Sequence, residues 1–530
     1  MFLSVFAQSS YNPYYRIALS AEVFGHTTMV PLFLTLLPSI LLCLFIVSVV
    51  IRKARIHLPP GPFGLPVIGH LHLVGTQPVR SLTDLGARYG SLMFLRFGSV
   101  PVLVASSPEA ARLILRSYDD IFSYRTVPSV SFISFEGKDL LFAQPGPYYK
   151  YLRRLAASEL FSTKRLHSFR PIIKDEIRGL LEVVADKADC VDLRTILYDA
   201  MFTIISRMAI SRKANDLRSQ SQDDPSSSLQ SLLIQSIEIL GVVNVGDYIP
   251  WLAWMDLQGC SRRTKAITRN LKAIWQEIID DRRKRRLSRE SGIEDADFLD
   301  VLLTASTQDE VEITDIGIMG VLTNMFGAAI DTSSLTIEWA LAELLMHPRI
   351  LKKAQKELQA IAKSARLMQE SDIVDLPYLR AIVKETMRLH PVVPLLVPHM
   401  ASQDCKVSGY DIPSGTQTFI NVWAIGRDPN VWEDPLIFYP ERFMDSSVDL
   451  RGQHFELIPF GSGRRACPGL NLGLNNVHLM LANLLHAFEW EKLGEVDLSP
   501  NLSIALSLAN HLLAKATLKI PRFLIEFTPS

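Results

Sequence analysis

The sequence is poor in the features that mark several large functional classes. Its 55 Lys and Arg residues balance its 55 Asp and Glu residues, so no net charge favours a polyanion such as nucleic acid as a partner. Only five cysteines occur in 530 residues, without a CxxC pair or a Cys/His pair of zinc spacing. These absences argue against nucleic-acid binding, a zinc module and a disulfide framework. We interpret the five cysteines as reduced cytosolic thiols.

Beyond residue 62 the chain shows no internal repeat, low-complexity tract or second linker that would separate domains. Apolar residues recur at helical spacing in long stretches that include residues 313–347, 350–362, 379–389 and 472–488. Short segments of strand type are residues 91–105 and 405–420. The pattern predicts one mainly helical domain with a smaller β part, from residue 63 to residue 530.

A long apolar segment occupies residues 27–51. These 25 residues carry no charge and as a helix would span about 37 Å, more than a hydrocarbon core of about 30 Å. Arg52, Lys53 and Arg55 follow at once, and positive charge marks the cytosolic end of a membrane helix. A cleaved signal peptide is the alternative, but the run is long and lacks a small-x-small cleavage site. We predict a membrane anchor, preceded by an extension (residues 1–26) whose Ser content leaves an organelle-targeting role open.

Residues 52–62 form a basic flank followed by the segment Leu58-Pro59-Pro60-Gly61-Pro62. Consecutive prolines fix φ and exclude helix for the residues before them, so the membrane helix must end here. We interpret the segment as a stiff hinge that orients the following domain against the bilayer. A simple linker is the alternative interpretation.

The most informative local pattern is Phe460-Gly461-Ser462-Gly463-Arg464-Arg465-Ala466-Cys467-Pro468-Gly469, which precedes a helical pattern. A cysteine at the mouth of a helix meets backbone N–H groups and the positive end of the dipole, which predicts a lowered thiol pKa. The glycines remove Cβ atoms where the chain must turn against a flat partner, and Arg465 offers a fork for a carboxylate. The segment is typical of a site for a planar, acidic cofactor. A buried structural cysteine is the alternative interpretation.

This cysteine segment resembles the haem-binding signature of the cytochrome P-450 family, F-x-x-G-x-R-x-C-x-G, at every fixed position. The resemblance implies a mainly α fold with haem b between two long helices. It also implies that Cys467 is the thiolate ligand of the iron, with Phe460, Arg465 and Gly469 in the cofactor-binding loop.

Glu385 and Arg388 lie at i, i+3 on one face of a helix that should end before Pro391. Alone, such a pair is ordinarily a solvated surface pair. In the family, this pair joins the Arg of a Pro-Glu-Arg-Phe segment, here Pro440-Glu441-Arg442-Phe443. The resemblance therefore implies that Glu385, Arg388 and Arg442 form a buried network beneath the cysteine segment.

The stretch Gly327-Ala328-Ala329-Ile330-Asp331-Thr332 lies within the longest predicted helix. Mid-helix hydroxyls commonly bond back to a carbonyl and small residues admit close partners, so helix packing is the ordinary interpretation. In the family, this stretch crosses the oxygen-binding face of the haem, which implies that Asp331 and Thr332 relay protons to dioxygen. The family's usual glycine two residues before the acid is Ala329 here, so a smaller local opening of the helix is expected.

Carboxylates of a buried cofactor need cationic partners. The resemblance assigns this role to Arg125, Arg153, His399 and Arg465, although an ordinary polar loop residue is the alternative for His399. The family's Trp-Arg pair is replaced by Tyr149-Lys150, and Tyr149 retains an O–H donor.

Two further segments, at residues 247–252 and 423–429, resemble the plant branch whose members hydroxylate phenylpropanoids, flavonoids and terpenoids. The resemblance thus implies hydroxylation of a small apolar plant metabolite with O2, at the endoplasmic reticulum membrane and with a cytosolic catalytic domain. Because the chain lacks a P-loop or GxGxxG motif, electrons should come from a separate NADPH–cytochrome P-450 reductase. Candidate residues for its docking face are Lys150, Arg153, Arg154 and Lys164. The expected pocket segments are mostly apolar and comprise residues 127–142, 324–332, 393–397 and 507–510.

Two alternatives stay open at this point. A haem-thiolate isomerase or dehydratase would act without external O2, but it has no need of the Asp331-Thr332 pair. A catalytically silent, membrane-tethered binding protein would have no need of an intact cysteine segment.

Overall fold

The computed structural model describes residues 57–75, 77–213, 228–288, 297–308, 312–363, 366–502 and 505–526. The predicted extension and membrane anchor therefore lie outside the described residues. Within these ranges, no helix is both long enough and apolar enough to cross a bilayer. The described parts of residues 59–407 and 412–530 form one compact unit, and His57 and Leu58 group with residues 408–411 in another.

The larger unit is mainly helical. Its α-helices are α1 Leu71–Val74, α2 Pro78–Tyr89, α3 Pro108–Arg112, α4 Asp119–Phe122, α5 Ser129–Phe135, α6 Pro147–Leu155, α7 Thr163–Ser168, α8 Arg170–Asp186, α9 Leu193–Ile210, α10 Leu229–Leu240, α11 Val245–Tyr248, α12 Cys260–Ser288, α13 Phe298–Gln308, α14 Asp315–Met346, α15 Pro348–Ala362, α16 Pro377–Leu389, α17 Val422–Ile425 and α18 Leu470–Ala487. Single π turns at Leu113–Ser117 and Ala156–Leu160 continue α3 and α6. Short 3-10 turns lie at Pro250–Met255, Glu370–Asp375, Pro440–Phe443, Gly463–Arg465 and Arg522–Leu524.

The central element is α14, which the sequence predicts at nearly the same bounds. Its N-cap is Thr314, whose hydroxyl accepts a hydrogen bond from the Gly317 N–H at 3.4 Å. Residues 333–345 are buried on every side of the helix, which places α14 in the core. Helices α9, α10, α16 and α18 pack against it.

The helices that follow α14 begin where proline permits. Pro348 opens α15 and Pro377 opens α16, because a residue at the first helical position has no intrahelical N–H bond to lose. Helix α16 ends at Leu389, before Pro391, as predicted. The predicted helix after the cysteine segment is α18.

The strands are short. They are β1 Leu92–Phe97, β2 Val100–Ala105, β3 Tyr124–Arg125, β4 Val191–Asp192, β5 His399–Met400, β6 Cys405–Val407, β7 Tyr410–Ile412, β8 Gln417–Ile420, β9 Phe488–Lys492, β10 Pro500–Leu502, β11 Leu506–Leu508 and β12 Leu513–Leu518. One five-stranded sheet has the order β1-β2-β8-β5-β3, in which only the β2–β8 pair is parallel. Its register sets Arg125 directly opposite His399.

The proline-rich hinge is packed against this sheet from Pro60 onward. The Pro60 carbonyl accepts a hydrogen bond from the Phe94 N–H at 2.9 Å, and a side chain at Gly61 would collide with the Phe94 carbonyl. In the smaller unit, the His57 N–H donates to Asp411 Oδ2 at 2.9 Å. The end of the hinge is thus part of the folded domain and differs from a free linker.

Candidate cofactor and active site

The cysteine segment folds back on itself before α18 begins. Gly461 and Gly463 have φ values of 69° and 73°, in the left-handed region that favours glycine. A side chain at Gly463 would also collide with the Leu115 carbonyl. The Cys467 N–H donates to the Phe460 carbonyl at 2.9 Å, which closes the loop. Gly469 is the N-cap of α18, so the cysteine lies at the mouth of this helix, as predicted.

The environment of Cys467 Sγ differs from the prediction of a lowered pKa. Burial raises the pKa of this thiol, and a hydrogen bond from the Gly469 N–H and the charge of Arg153 only partly offset the effect. The helix terminus therefore contributes, but desolvation outweighs it. Cys467 as a residue is nevertheless exposed. A bound cation at this cysteine would favour the thiolate and oppose the effect of burial.

Two arginines lie buried near this loop. Arg465 donates from Nε to the Ser123 carbonyl at 2.7 Å and from Nη2 to the Ala143 carbonyl at 2.6 Å. Arg125 donates from Nη1 to the Pro398 carbonyl at 3.0 Å. Arg465 Nη1 and Arg125 Nε have no hydrogen-bond partner, and among the described residues neither side chain forms a salt bridge. The two guanidinium groups therefore leave buried donors for an anion.

Burial and mutual repulsion disfavour charge in this cluster. They lower the pKa of Arg125 to about 9, with burial as the larger cause and Arg465 as the second. Opposite Arg125, His399 Nδ1 contacts the Phe122 carbonyl at 2.8 Å, and burial holds the pKa of His399 well below its usual range. Cationic groups without a matching carboxylate are costly in a low-dielectric interior unless a ligand brings the negative charge. The two carboxylates of haem b fit this requirement.

Tyr149 supports Arg465 in a way that the sequence does not show. Its ring lies 3.8 Å from the Arg465 guanidinium carbon, and its hydroxyl donates to the Arg464 carbonyl at 3.1 Å. The predicted O–H donor is therefore used within the cysteine segment. Arg153 is half-buried one turn further along α6 and acts on Arg465 and Cys467 through its charge.

The central part of α14 contributes a second surface to the site. Ala328 is exposed although most of the following helix is buried. A side chain at Gly327 would meet Ile237 of α10 at 3.1 Å, so this glycine serves helix packing. The Thr332 hydroxyl donates to the Ala328 carbonyl at 2.6 Å, the common bond of a mid-helix hydroxyl.

Asp331 has a neighbour that sequence reasoning missed, Tyr198 of α9. Burial raises the pKa of Asp331 to about 6, the Tyr198 hydroxyl opposes this shift, and the charge of Glu238 adds to it. No local pattern around Tyr198 signals this proximity, because it depends on the packing of α9 against α14.

The predicted network of Glu385, Arg388 and Arg442 is present. Glu385 accepts hydrogen bonds from Arg388 Nε at 2.7 Å, Arg388 Nη2 at 2.8 Å, Arg442 Nε at 3.1 Å and the Tyr439 N–H at 2.8 Å. Glu385 and Arg388 are fully buried. The remaining Arg388 donors reach the carbonyls of Gly426, Pro435 and Ile437. Surface solvation, the ordinary interpretation of the pair, is therefore wrong.

Hydrogen bonds also connect the predicted pocket segments, or residues beside them, in pairs. The Leu141 N–H donates to Asn324 Oδ1 at 3.0 Å, which joins the segment before α6 to α14. The Leu506 N–H donates to the Val392 carbonyl at 2.7 Å, beside the segments at residues 393–397 and 507–510. These contacts bring distant parts of the chain next to α14.

Comparison with known proteins agrees with this geometry. The family model described as Cytochrome P450 matches residues 59–513. Cytochrome P450 76C2 of Arabidopsis thaliana is 40% identical, with 85% of this chain and 89% of that protein covered. Flavonoid 3',5'-hydroxylase of Campanula medium is 37% identical, with 88% and 92% covered, and 3,9-dihydroxypterocarpan 6A-monooxygenase of Glycine max is 38% identical, with 89% and 95% covered. A zebra fish cytochrome P450 solved with abiraterone superimposes with a TM-score of 0.71 at 26% identity, covering 84% of this chain and all of that one.

The fold and the cysteine segment define a haem-thiolate enzyme, and the chain belongs to the cytochrome P450 family. It is a haem b-containing monooxygenase that uses dioxygen, an organic substrate and a redox partner. The alternatives of an isomerase or a silent binding protein are not favoured by relatives that are named hydroxylases and monooxygenases.

Proposed function

We propose that Cys467 is the thiolate ligand of the haem iron, and that Arg125, Arg465 and His399 hold the haem carboxylates. The observation that carries this proposal is the combination of an exposed cysteine at the mouth of α18 with two buried guanidinium groups, each with one nitrogen that lacks a hydrogen-bond partner. Phe460 and Gly469 shape the loop on either side of the cysteine. Tyr149 and Arg153 support this cluster, the first by packing under Arg465 and the second by its charge.

When bound, haem supplies the centre at which dioxygen is reduced and one of its oxygen atoms is transferred to carbon. The balanced reaction joins substrate, O2, NADPH and a proton to give the hydroxylated product, water and NADP+. The chain's own contribution is to exclude bulk water, orient the substrate and deliver protons. We assign proton delivery to Asp331 and Thr332, because Asp331 has a pKa of about 6 and the Thr332 hydroxyl lies beside the exposed Ala328.

The substrate is proposed to be a small apolar plant metabolite of the phenylpropanoid, flavonoid or terpenoid class. Support comes from the apolar pocket segments next to α14 and from relatives named flavonoid hydroxylase, flavonoid monooxygenase and pterocarpan monooxygenase. A flavonoid is the first compound to test, because several similar relatives are named for it.

An NADPH–cytochrome P-450 reductase in the same membrane is the proposed electron donor. Lys150, Arg154 and Lys164 are exposed, and Lys150 and Arg154 lie on α6, whose Arg153 acts on Cys467 through its charge. This basic face is therefore near the thiolate side of the haem. It would attract an acidic surface of the reductase.

We further propose that the chain is anchored in the endoplasmic reticulum membrane by the predicted segment at residues 27–51, with its catalytic domain in the cytosol. Exposed apolar side chains also cluster along the chain between residues 242 and 257, where Trp251 and Trp254 are 64% and 82% exposed. Aromatic residues of this kind favour the membrane interface and would provide a second contact with lipid.

The ligand assignment is tested with Cys467→Ala and the control Cys190→Ala, which removes an exposed cysteine. Purified proteins are reduced and saturated with carbon monoxide. Cys467→Ala should lose the spectrum typical of a thiolate ligand together with all turnover, because no other residue replaces a charged sulfur ligand. Retention of that spectrum would refute the assignment. Spin-state shifts on titration with a flavanone, a phenylpropanoid and a terpene then rank the substrate classes.

A further inference from the structure

A tight turn before α6 connects α14 to the buried arginines. Asp139 is 1% exposed, and its Oδ1 accepts hydrogen bonds from the Leu141 and Phe142 N–H groups, both at 2.8 Å. The Asp139 carbonyl accepts a third hydrogen bond, from the Ala143 N–H at 3.1 Å. Asp139 therefore fixes the backbone of residues 140–143 through both its side chain and its carbonyl, as short polar side chains commonly do in turns.

Helix α14 holds this turn from the other side. The Leu141 N–H also donates to Asn324 Oδ1 at 3.0 Å. One turn earlier in α14, a side chain at Gly320 would lie 3.0 Å from Asp139 Cβ, closer than an ordinary contact. Glycine at this position lets the helix backbone approach the turn closely. The turn is thus attached to the helix that carries the proposed proton relay.

The C-terminal end of the turn meets both buried arginines. The Ala143 carbonyl accepts a hydrogen bond from Arg465 Nη2 at 2.6 Å. The Gln144 side chain bonds twice to the backbone of Arg125, accepting from its N–H at 3.1 Å and donating to its carbonyl at 2.9 Å. Residues 139–144 therefore form a hydrogen-bonded connection from α14 to the two arginines.

The position of the Ala143 carbonyl matters because a guanidinium group is rigid and planar. Arg465 has two nitrogens bound to carbonyls, Nε to that of Ser123 at 2.7 Å and Nη2 to that of Ala143. In a rigid plane, these two bonds determine where the third nitrogen, Nη1, points. Among the described residues, Arg465 Nη1 has no partner, and it is the donor available to a haem carboxylate.

We propose that Asp139 is a positioning residue for Arg465, because it fixes the turn at residues 139–144 and thereby orients Arg465 Nη1 toward a carboxylate of the haem. The inference rests on the proposed function, in which Arg465 holds that carboxylate. Asp139 acts through the Ala143 carbonyl. Asn324 secures the same turn to α14, so the cationic partner of the haem and the helix of the proton relay keep a fixed spacing.

This role requires the acceptor at Asp139 Oδ1 and does not require the charge of the carboxylate. Oδ1 makes both hydrogen bonds of the side chain, whereas Oδ2 is buried and has no partner among the described residues. Burial raises the pKa of Asp139 to about 6, and the N–H groups of the turn oppose this shift. Asparagine retains an oxygen acceptor at the same place, so Asp139→Asn should preserve the turn and Asp139→Ala should lose it.

The first test observes the hydrogen bonding of the haem carboxylates. In haem-loaded protein, the resonance Raman bending bands of these carboxylates shift when a hydrogen-bond donor is lost. Asp139→Ala should shift one band in the same direction as Arg465→Leu, and Asp139→Asn should leave it in place. Asp372→Ala is the matched control and should leave both bands unchanged, because Asp372 is also buried and closes a turn, with bonds from the Gln369 N–H at 2.7 Å and from Arg366.

The second test follows the transfer of haem from each variant to excess apomyoglobin. Asp139→Ala should lose haem about tenfold faster than the wild type, the factor expected for one hydrogen bond to a charged group, and Asp139→Asn should stay within about twofold. Asn324→Ala keeps Asp139 but removes the bond from α14. It should lose haem about threefold faster, and it tests the connection even where Asp139→Ala does not fold. In an Arg465→Leu background, Asp139→Ala should have no further effect.

Three results would overturn the inference: rapid haem loss from Asp139→Asn, unshifted bands in Asp139→Ala, or an additive effect of Asp139→Ala in the Arg465→Leu background. If Arg465→Leu itself keeps the bands and the haem-loss rate of the wild type, the proposed role of Arg465 fails, and this inference fails with it. The variant Arg465→Leu therefore distinguishes failure of the proposed function from failure of the positioning role alone.

Discussion

Removal of Glu385 should destabilise the protein far more than removal of a comparable surface carboxylate. In Glu385→Ala, the guanidinium of Arg388 stays buried, packed 5.4 Å from the Trp432 ring, and loses both of its bonds to a negative charge. Breaking a buried pair in this way costs about 3–5 kcal/mol, because one charge is left without compensation. With a urea m-value of about 3 kcal/mol per M, the unfolding midpoint should fall by about 1 to 1.7 M.

Glu370→Ala is the matched control for this experiment. Glu370 accepts a hydrogen bond from Arg170 Nε at 2.6 Å, as short as those of the buried pair, but the two side chains are 33% and 47% exposed. Exposed pairs contribute only about 0.2–1 kcal/mol, because water screens the charges and the side chains lose entropy. Its midpoint should therefore move by less than about 0.3 M.

Both variants are unfolded in urea at pH 7 and followed by tryptophan fluorescence, with haem content measured on the same samples. Glu385→Ala should also incorporate less haem, since the family resemblance implies that this network supports the cysteine segment. Glu385→Gln keeps the shape of the side chain and should fall between the two. Equal midpoints for Glu385→Ala and Glu370→Ala would show that burial of the network does not determine its contribution.

Asp331→Asn should be more stable than the wild type at pH 7.5 by up to about 3 kcal/mol and nearly equal to it at pH 4, as measured by urea unfolding. The pKa of Asp331 is about 6 in the folded protein, above its ordinary value of 3.8, so the wild type loses stability as the pH rises from 3.8 to about 6. Equal stability differences at pH 4 and pH 7.5 would contradict this reasoning. Thr332→Ala should retain haem and substrate binding but form several-fold less product per NADPH and more peroxide, whereas Thr336→Ala, which loses a similar back-bond of 2.7 Å, should remain coupled. Unchanged coupling in Thr332→Ala would mean that another group carries the protons. Removal of residues 1–57 should leave a haem-binding protein that partitions far less into membranes. Loss of haem from an otherwise folded truncation would contradict the predicted boundary.

The sequence by itself was sufficient for features that depend on local chemistry. Apolar spacing located α14 to α16 and α18 because each buries a face that repeats along the helix. Proline located the end of α16, since it disfavours helix in the preceding residue. The order of glycines, arginine and cysteine at residues 460–469 identified the cofactor loop, because its tight turns and its ligand are contiguous in the chain.

Tertiary packing alone decided the electrostatics of the site. The helix mouth at Cys467 predicts a lowered thiol pKa, yet burial raises it, because desolvation depends on protein that surrounds the sulfur from distant parts of the chain. The sequence predicts that the Tyr149 hydroxyl is a donor to the cofactor. In the folded protein this hydroxyl donates to the Arg464 carbonyl. Tyr198 acts on the pKa of Asp331 because α9 packs against α14, and no pattern within either helix encodes that proximity.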